Sequence, residues 1–289
     1  MKTLRKILTC FILCICTILG GISFAGCGSL VEFKYEITSL YSVELSYARY
    51  NGPVGEKEGK VTIPAITRID GRDYSVTSLG VQSLAGEMMY YVEMPRTITA
   101  IESSAFLGCT NLQELYIPTD VHYIADNAFK GCTNLFEFKI ASDNSAFAVD
   151  SNGALYTKDF SKLISVPVRY DYGLSDIFEI PEGVETIGSC AFAYSNDHTI
   201  KFPSTVREII YDKPDVPFYA CNNLETIIVD SQHVVNSFKN YTSIDDLINI
   251  VDRVYIKEGL DVSDAEGLLR YFTSISSSKA GYTAYVRNA

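Results

Sequence analysis

The chain has 289 residues, 47% hydrophobic and 20% charged, a globular composition long enough for one large domain or two ordinary ones. Its 24 Lys and Arg stand against 35 Asp and Glu, a formal charge of −11 that argues against nucleic acid as a partner. Eight cysteines suggest a disulfide framework only until they are placed along the chain.

Lys2, Arg5 and Lys6 precede an apolar run over residues 7–19, and Gly20, Gly21, Ser23, Ala25 and Gly26 come after it. Charge, apolar run and small residues in that order make residues 1–26 an export signal. The segment ends Phe24-Ala25-Gly26-Cys27, which resembles the lipobox of bacterial lipoproteins, with Phe where Leu is more usual. That resemblance implies cleavage before Cys27, diacylation of its thiol and lipid attachment of the body to a membrane. Simple secretion and an uncleaved membrane anchor are the alternatives, and all three put the body outside the cytoplasm. The signal holds three of the 24 cations and no carboxylate, so the body carries 21 cations against 35 carboxylates, a charge of −14. Such a body repels anionic surfaces and admits cationic partners or divalent cations.

Cys10, Cys14 and Cys16 fall in the signal, which leaves Cys109, Cys132, Cys190 and Cys221 in the body beside Cys27. Residues 31–50 alternate apolar and polar like two strands, and residues 27–58 are expected to cap the segment that begins at residue 59.

From residue 59 to 230 the chain repeats itself. Met94-Pro95, Ile98, Ile101, Ala105-Phe106, Gly108-Cys109-Thr110-Asn111-Leu112 and Ile117 form one unit. Ile124, Ala128-Phe129 and Gly131-Cys132-Thr133-Asn134-Leu135 recur 23 residues later. A third unit runs from Pro181 through Val184, Ile187 and Ala191-Phe192 to Pro203. A fourth passes Val206 and Ile209, takes an insertion around Pro214 and resumes at Phe218 and Cys221-Asn222-Asn223-Leu224. Ahead of them all, Ile63-Pro64 to Pro95 is a degenerate unit with Leu79 and Leu84 in the places of Ile and Phe.

Physical roles derive from the period. Leu112, Leu115 and Ile117 make a short strand with one buried side, and Pro118 ends it because it brings no N–H to the ladder. Val121 and Ile124 re-enter the core, small Ala128 lets Phe129 lie across the coil, and Gly131 supplies a left-handed turn. Stacked coils then share a spine of Phe106, Phe129, Phe192 and Phe218. Cys109, Cys132 and Cys221 occupy one repeat position, which suits small buried free thiols better than bridges.

The form I-P-x-x-[VI]-x-x-I-x-x-x-A-F-x-G-C-x-N-L resembles the BspA-type leucine-rich repeat of bacterial surface proteins. The resemblance implies a β-rich leucine-rich-repeat solenoid, a right-handed superhelix with a parallel concave sheet and few short helices, used at the cell surface for adhesion or protein contact. The first unit departs from the pattern, as do residues 141–180 and the tail.

Pro167 and Pro181 are only 14 residues apart, too close for a coil, so residues 154–157 and 163–166 read as a β-hairpin inserted in one enlarged coil. It either protrudes as a contact loop or fills the coil, and filling is the favoured reading. The tail, residues 231–289, reads as a divergent cap: a helix at 244–251 behind Ser243, a strand at 254–257, a second helix at 263–272 and an edge strand at 281–286.

Strand alternation places outward residues in columns. One reads Glu93, Tyr116, Lys139, Glu179, Lys201, Ile228; its neighbour reads Tyr91, Glu114, Glu137, Ile177, Thr199, Thr226. The candidate binding face is Tyr91, Glu93, Glu114, Tyr116, Glu137, Lys139, Glu179 and Lys201, with the two tyrosines as protein-binding anchors. Its charged members also read as a ladder of ion pairs, Lys139 to Glu179 to Lys201, that stabilises coils without a ligand.

Chemistry has little to draw on. His122, His198 and His233 sit near no nucleophile signature, and neither G-x-S-x-G nor H-E-x-x-H occurs. Asp150-Ser151-Asn152-Gly153 opens like a calcium loop but reads as a hairpin turn. Glu114 and Glu137 would be ladder neighbours on an open sheet with no cleft to exclude water. The expectation is therefore a non-catalytic surface scaffold or adhesin, with no cofactor or metal, a protein ligand and a membrane contact through Cys27. A carbohydrate or cell-wall binding module and a structural coat protein are the alternatives.

Overall fold

Alternating side chains set the strands of this structure, a computed structural model that describes residues 7–10, 31–51, 59–168, 177–211, 215–240, 251–277 and 279–288. Most of the export signal, Cys27, the insertion at Pro214 and the helix expected behind Ser243 lie outside the described residues. Contacts divide the chain into two units, Met1–Ala146 and Phe147–Ala289. Each is a stretch of β-solenoid with two ladders.

In the first unit Lys60–Thr62, Tyr91–Glu93, Glu114–Ile117 and Glu137–Ile140 run parallel in that order. Val61, Val92, Leu115 and Phe138 are buried at their centres. The second ladder joins Arg72–Leu79, Ala100–Ile101 and Tyr123–Ile124, again parallel, with Leu79, Ile101 and Ile124 buried. Between the ladders Phe106 and Phe129 stack with ring centroids 5.8 Å apart. The degenerate coil obeys the same plan: Leu79 is in register with Ile101, and Leu84 is buried. It is longer because Ile66–Ile69 folds back on Arg72–Leu79 at Asp70-Gly71, whose φ of 51° and 80° are those of a hairpin turn that favours Asp-Gly.

The amino-terminal strands form as read, Val31–Ile37 antiparallel to Ser42–Tyr50. Ser42–Tyr50 then pairs parallel with Arg72–Leu79, so the hairpin extends the second ladder edge to edge. Ile7–Cys10 pairs antiparallel with the outer edge of Val31–Ile37.

Thiols explain their own repeat position. Cys109 Sγ donates to the Leu84 carbonyl (3.0 Å) and Cys132 Sγ to the Phe106 carbonyl (3.1 Å). In the second unit Cys221 Sγ donates to the Phe192 carbonyl (2.7 Å). Each reaches the carbonyl at the Phe position of an earlier coil, a place that wants a short side chain with a weak donor. Cys109, Cys132, Cys190 and Cys221 are buried and outside any disulfide. Burial pushes the Cys221 thiol up to about 12, and Cys132 is raised well above the ordinary thiol range, chiefly through its hydrogen bond with Cys109.

The second unit begins with an antiparallel sheet, Phe147–Val149, Leu155–Thr157 and Lys162–Ser165. Lys162–Ser165 continues parallel into Thr186–Ile187 and Glu208–Ile209. The inserted hairpin therefore does not protrude: its second strand is a rung of the ladder, and Leu155, Tyr156, Leu163 and Ile164 are buried. The Asp150 stretch is a turn, with Asp150 Oδ1 accepting from Asn152 N and Ala154 N, both at 2.9 Å.

The other ladder runs Ile177–Glu179, Thr199–Phe202, Thr226–Val229, Arg253–Lys257, then antiparallel Tyr282–Arg287 and Phe272–Ile275. Behind it Phe178, Phe192, Phe202 and Phe218 pack together, with Phe192 stacked on Phe218 at 5.5 Å.

Two expectations for the tail are corrected and one element was missed. The second helix stops at Leu269, and Phe272 starts a strand because its ring is buried in the core of the unit. The final strand, Tyr282–Arg287, is interior, and Phe272–Ile275 takes the edge. A helix not anticipated, Gln232–Ser237, starts after Ser231, whose hydroxyl accepts from Val234 N, with Val234 and Val235 facing inward.

Candidate functional site

The outward face of the Lys60–Ile140 ladder carries the candidate site of the first unit. Register sets its columns: Lys60, Tyr91, Glu114 and Glu137 lie opposite one another, as do Thr62 and Glu93, and Tyr116 and Lys139. Lys60 and Thr62 were missed by reading, although Val61 and Ile63 ahead of Pro64 mark that strand. In the second unit Ile177, Thr199 and Thr226 form one column and Glu179, Lys201 and Ile228 the other, as expected. Arg253 and Tyr255 extend them.

Charges on the first ribbon satisfy each other. Lys60 Nζ lies 2.7 Å from Glu93 Oε2, which also accepts from Thr62 Oγ1 at 3.1 Å. These bonds, that of Lys60 first, hold the Glu93 carboxyl below its usual range. Lys139 Nζ lies 2.6 Å from Glu114 and 3.2 Å from Glu137, and the two bonds raise its ammonium above the usual range. In the second unit Lys201 Nζ is 3.6 Å from Glu179. All are exposed pairs, which contribute little to stability.

Tyr91 and Tyr116 remain as the large outward side chains of this ribbon, 37% and 50% exposed. Ile228 corrects the second column: it faces outward yet is 4% exposed, beside Tyr255 in register, so the exposed column ends before it.

Groups suited to covalent chemistry are disposed otherwise. The Glu114 and Glu137 carboxylates share one ammonium on an exposed sheet face. His122 Nδ1 donates to the Asp120 carbonyl, His198 Nδ1 lies 3.8 Å from Glu225, and His233 is exposed on its helix. Among the described residues no group of three or more His, Cys, Asp and Glu is arranged to hold a metal ion. No helix among them is long and apolar enough to cross a membrane.

The BspA type leucine rich repeat region matches this chain in six copies, over residues 65–153 and 170–257. The chain belongs to the BspA-type leucine-rich-repeat family. No curated protein matches it. Among solved structures, this BspA-type chain is similar to a leucine-rich cell surface protein of Faecalibacterium prausnitzii, 17% identical over 68% of this chain and 80% of that one, with a TM-score of 0.39. It is also similar to a leucine-rich repeat protein of Eubacterium ventriosum, 17% identical over 70% and 77%, with a TM-score of 0.41. A third is the pneumococcal vaccine antigen PcpA, 14% identical over 68% and 70%, with a TM-score of 0.37.

Proposed function

We propose that this chain is a non-catalytic cell-surface binding scaffold, an adhesin that grips a protein ligand with the ribbon around Tyr91 and Tyr116. One observation carries the reading: the ribbon's charges are engaged with each other, while its two tyrosines stay exposed on a short-stranded ladder. A tyrosine held this way offers large amphipathic contact area and loses little freedom on binding. Family membership supports a repeat scaffold, and the shared engagement of Glu114 and Glu137 by Lys139 supports a face without acid–base work.

Cells displaying the chain test this. The Tyr91→Ala/Tyr116→Ala double variant should lose about ten-fold or more of its retention on an immobilised extract of surface proteins, while Lys60→Ala, which removes the pair with Glu93 and leaves both rings in place, should keep it. Equal retention of wild type and double variant overturns the ribbon; retention that survives protease treatment of the extract but not glycosidase moves it to a carbohydrate.

The scaffold is exported by residues 1–26 and held at the membrane by acylated Cys27. Radiolabelled fatty acid should enter the wild-type chain and not Cys27→Ala; label in both, or in neither, removes the anchor.

A further inference from the structure

We propose that Tyr91, Glu93, Glu114 and Tyr116 form a seat for an arginine side chain, so that what this ribbon grips is a basic, arginine-bearing segment of its protein ligand. The inference rests on the reading of the ribbon as a binding face and adds the chemistry of the occupant. Register places Tyr91 opposite Glu114, and carrying it on from Val92 opposite Leu115 sets Glu93 beside Tyr116. These four outward side chains make a square in which rings and carboxylates alternate, with the tyrosines on one diagonal. Neighbouring strands lie roughly 4.8 Å apart and alternate residues roughly 6.6 Å along a strand, so the two tyrosine Cα atoms are roughly 8 Å from each other. A cation seated between the rings comes within the reach of about 6 Å at which both ring faces attract it.

Neither ring is covered. Tyr91 and Tyr116 are exposed, and among the described residues no cation or second ring lies against them. The carboxylates are engaged on one oxygen only. Glu93 meets Lys60 and Thr62 through Oε2, and Glu114 and Glu137 each meet Lys139 through Oε2. Among the described residues their Oε1 atoms accept nothing, and all three side chains reach solvent. A carboxylate has lone pairs for several donors, so each can take another without giving up its lysine.

Charge selects the occupant. The ribbon holds three carboxylates against two ammoniums, and Lys139 serves Glu114 and Glu137 at once, at 2.6 and 3.2 Å, so one negative charge has no cation of its own. Arg96, beyond the proline that ends Tyr91–Glu93, is engaged by Asp143. An anionic ligand would meet this surplus on a chain whose formal charge is −11. A lysine would bring charge alone. A guanidinium is flat, stacks on aromatic faces, sheds its water more easily and carries its N–H donors around its edge, so it fits between the rings while donating to the Oε1 atoms on the other diagonal.

The test uses the full chain in mild detergent and three capped fluorescent peptides that alternate glycine with arginine, lysine or citrulline, the last an uncharged copy of arginine in shape. The arginine peptide should raise anisotropy saturably, with the lysine peptide weaker by about three-fold or more and the citrulline peptide by about ten-fold or more. Tyr91→Ala/Tyr116→Ala and Glu114→Gln should each weaken the arginine peptide by about five-fold or more. Lys139→Gln strips Glu114 and Glu137 of their shared ammonium and should tighten it by about three-fold or more, a gain that loss of structure does not produce. Absence of saturable binding, equal binding of the lysine or citrulline peptide, indifference to the tyrosines, or a Lys139→Gln that binds no tighter overturns the proposal. Failure of the adhesin reading is separable. Arginine binding that needs the tyrosines while retention on surface proteins does not leaves the seat without that reading; retention that needs them while arginine and citrulline bind alike leaves the ribbon and removes the seat.

Discussion

Positive φ recurs at one place in each coil, and the residue that fills it decides the local cost. Gly86, Gly108 and Gly131 sit there at 74°, 69° and 79°, whereas Tyr194 and Ala220 hold the same place at 65° and 56°. A Cβ built on Gly108 meets nothing within 4 Å, so its substitution is a question of backbone conformation alone. Gly108→Ala should therefore lower unfolding free energy by about 1 kcal/mol, the usual penalty of a left-handed L-residue. Ala220→Gly should raise it by about 0.5 kcal/mol, because relieved strain exceeds the added chain entropy. Denaturant unfolding reads both, and a neutral Gly108→Ala would show that the turn relaxes. The glycine was legible from its spacing, but not that Tyr194 and Ala220 adopt the same turn, since neither residue advertises it. Tyr194 gains from its ring contact with Tyr219, centroids 5.6 Å apart, a packing detail no spacing encodes. Buried thiols give a second residue-scale test. A water-soluble thiol reagent should leave Cys109, Cys132, Cys190 and Cys221 unlabelled in the folded protein and label all four in denaturant, and native labelling of any of them would contradict its burial.

Where the repeat is interrupted, single side chains do what a following coil's backbone does elsewhere. Buried Asn144 donates from Nδ2 to the Pro118 and Val121 carbonyls, at 2.8 and 2.9 Å, and accepts from Ala146 N. Asn144→Ala strands the Val121 carbonyl and leaves Pro118 only its 3.4 Å bond from Val121 N, and should cost about 2 kcal/mol, measured by denaturant unfolding; a loss near zero would mean that water replaces the amide. The turn between Leu155–Thr157 and Lys162–Ser165 rests on Asp159, whose carboxylate accepts from Ser161 N and from the Ser161 and Thr157 hydroxyls. These bonds, the Ser161 amide first, lower the Asp159 carboxyl to about 2. A depressed carboxyl stabilises its turn above the unfolded value of about 3.9 and loses that contribution as pH falls through about 2. The Ser161 amide resonance should accordingly titrate with a midpoint near 2, and Asp159→Asn should abolish the step; a midpoint near 4 would show the bonds are not formed. This hairpin was visible in the sequence because two prolines stood too close for a coil. The Gln232–Ser237 helix was not, since its Ser231 cap comes directly after a strand and its inward face is only Val234 and Val235. Nor does alternation say which strand neighbours which, so Tyr282–Arg287 read as an edge while the fold inserts it between two others.

At the scale of the whole chain, a strict period made the outward columns legible in the sequence, from Tyr91 opposite Glu114 to Thr199 opposite Thr226. Ile228 escaped because its burial depends on the tail, where the period has been lost. The same chain carries two opposed electrostatic effects. Exposed pairs such as Lys60 with Glu93 and Lys139 with Glu114 attract at contact, and each contributes little. Against them stands an excess of carboxylates, −11 over the full chain, whose mutual repulsion acts over distances that salt screens efficiently, with a Debye length of about 10 Å at 0.1 M. Close pairs lose little to that screening and the long-range repulsion loses much. Raising sodium chloride from about 10 to about 300 mM at pH 7 should therefore raise Tm by a few degrees, because a chain so acidic gains more from screened repulsion than it gives up in pairs. A Tm that falls with salt would assign the larger share to the ion-paired ribbon, and Lys139→Ala should then remove most of that fall, since Lys139 holds two carboxylates at once.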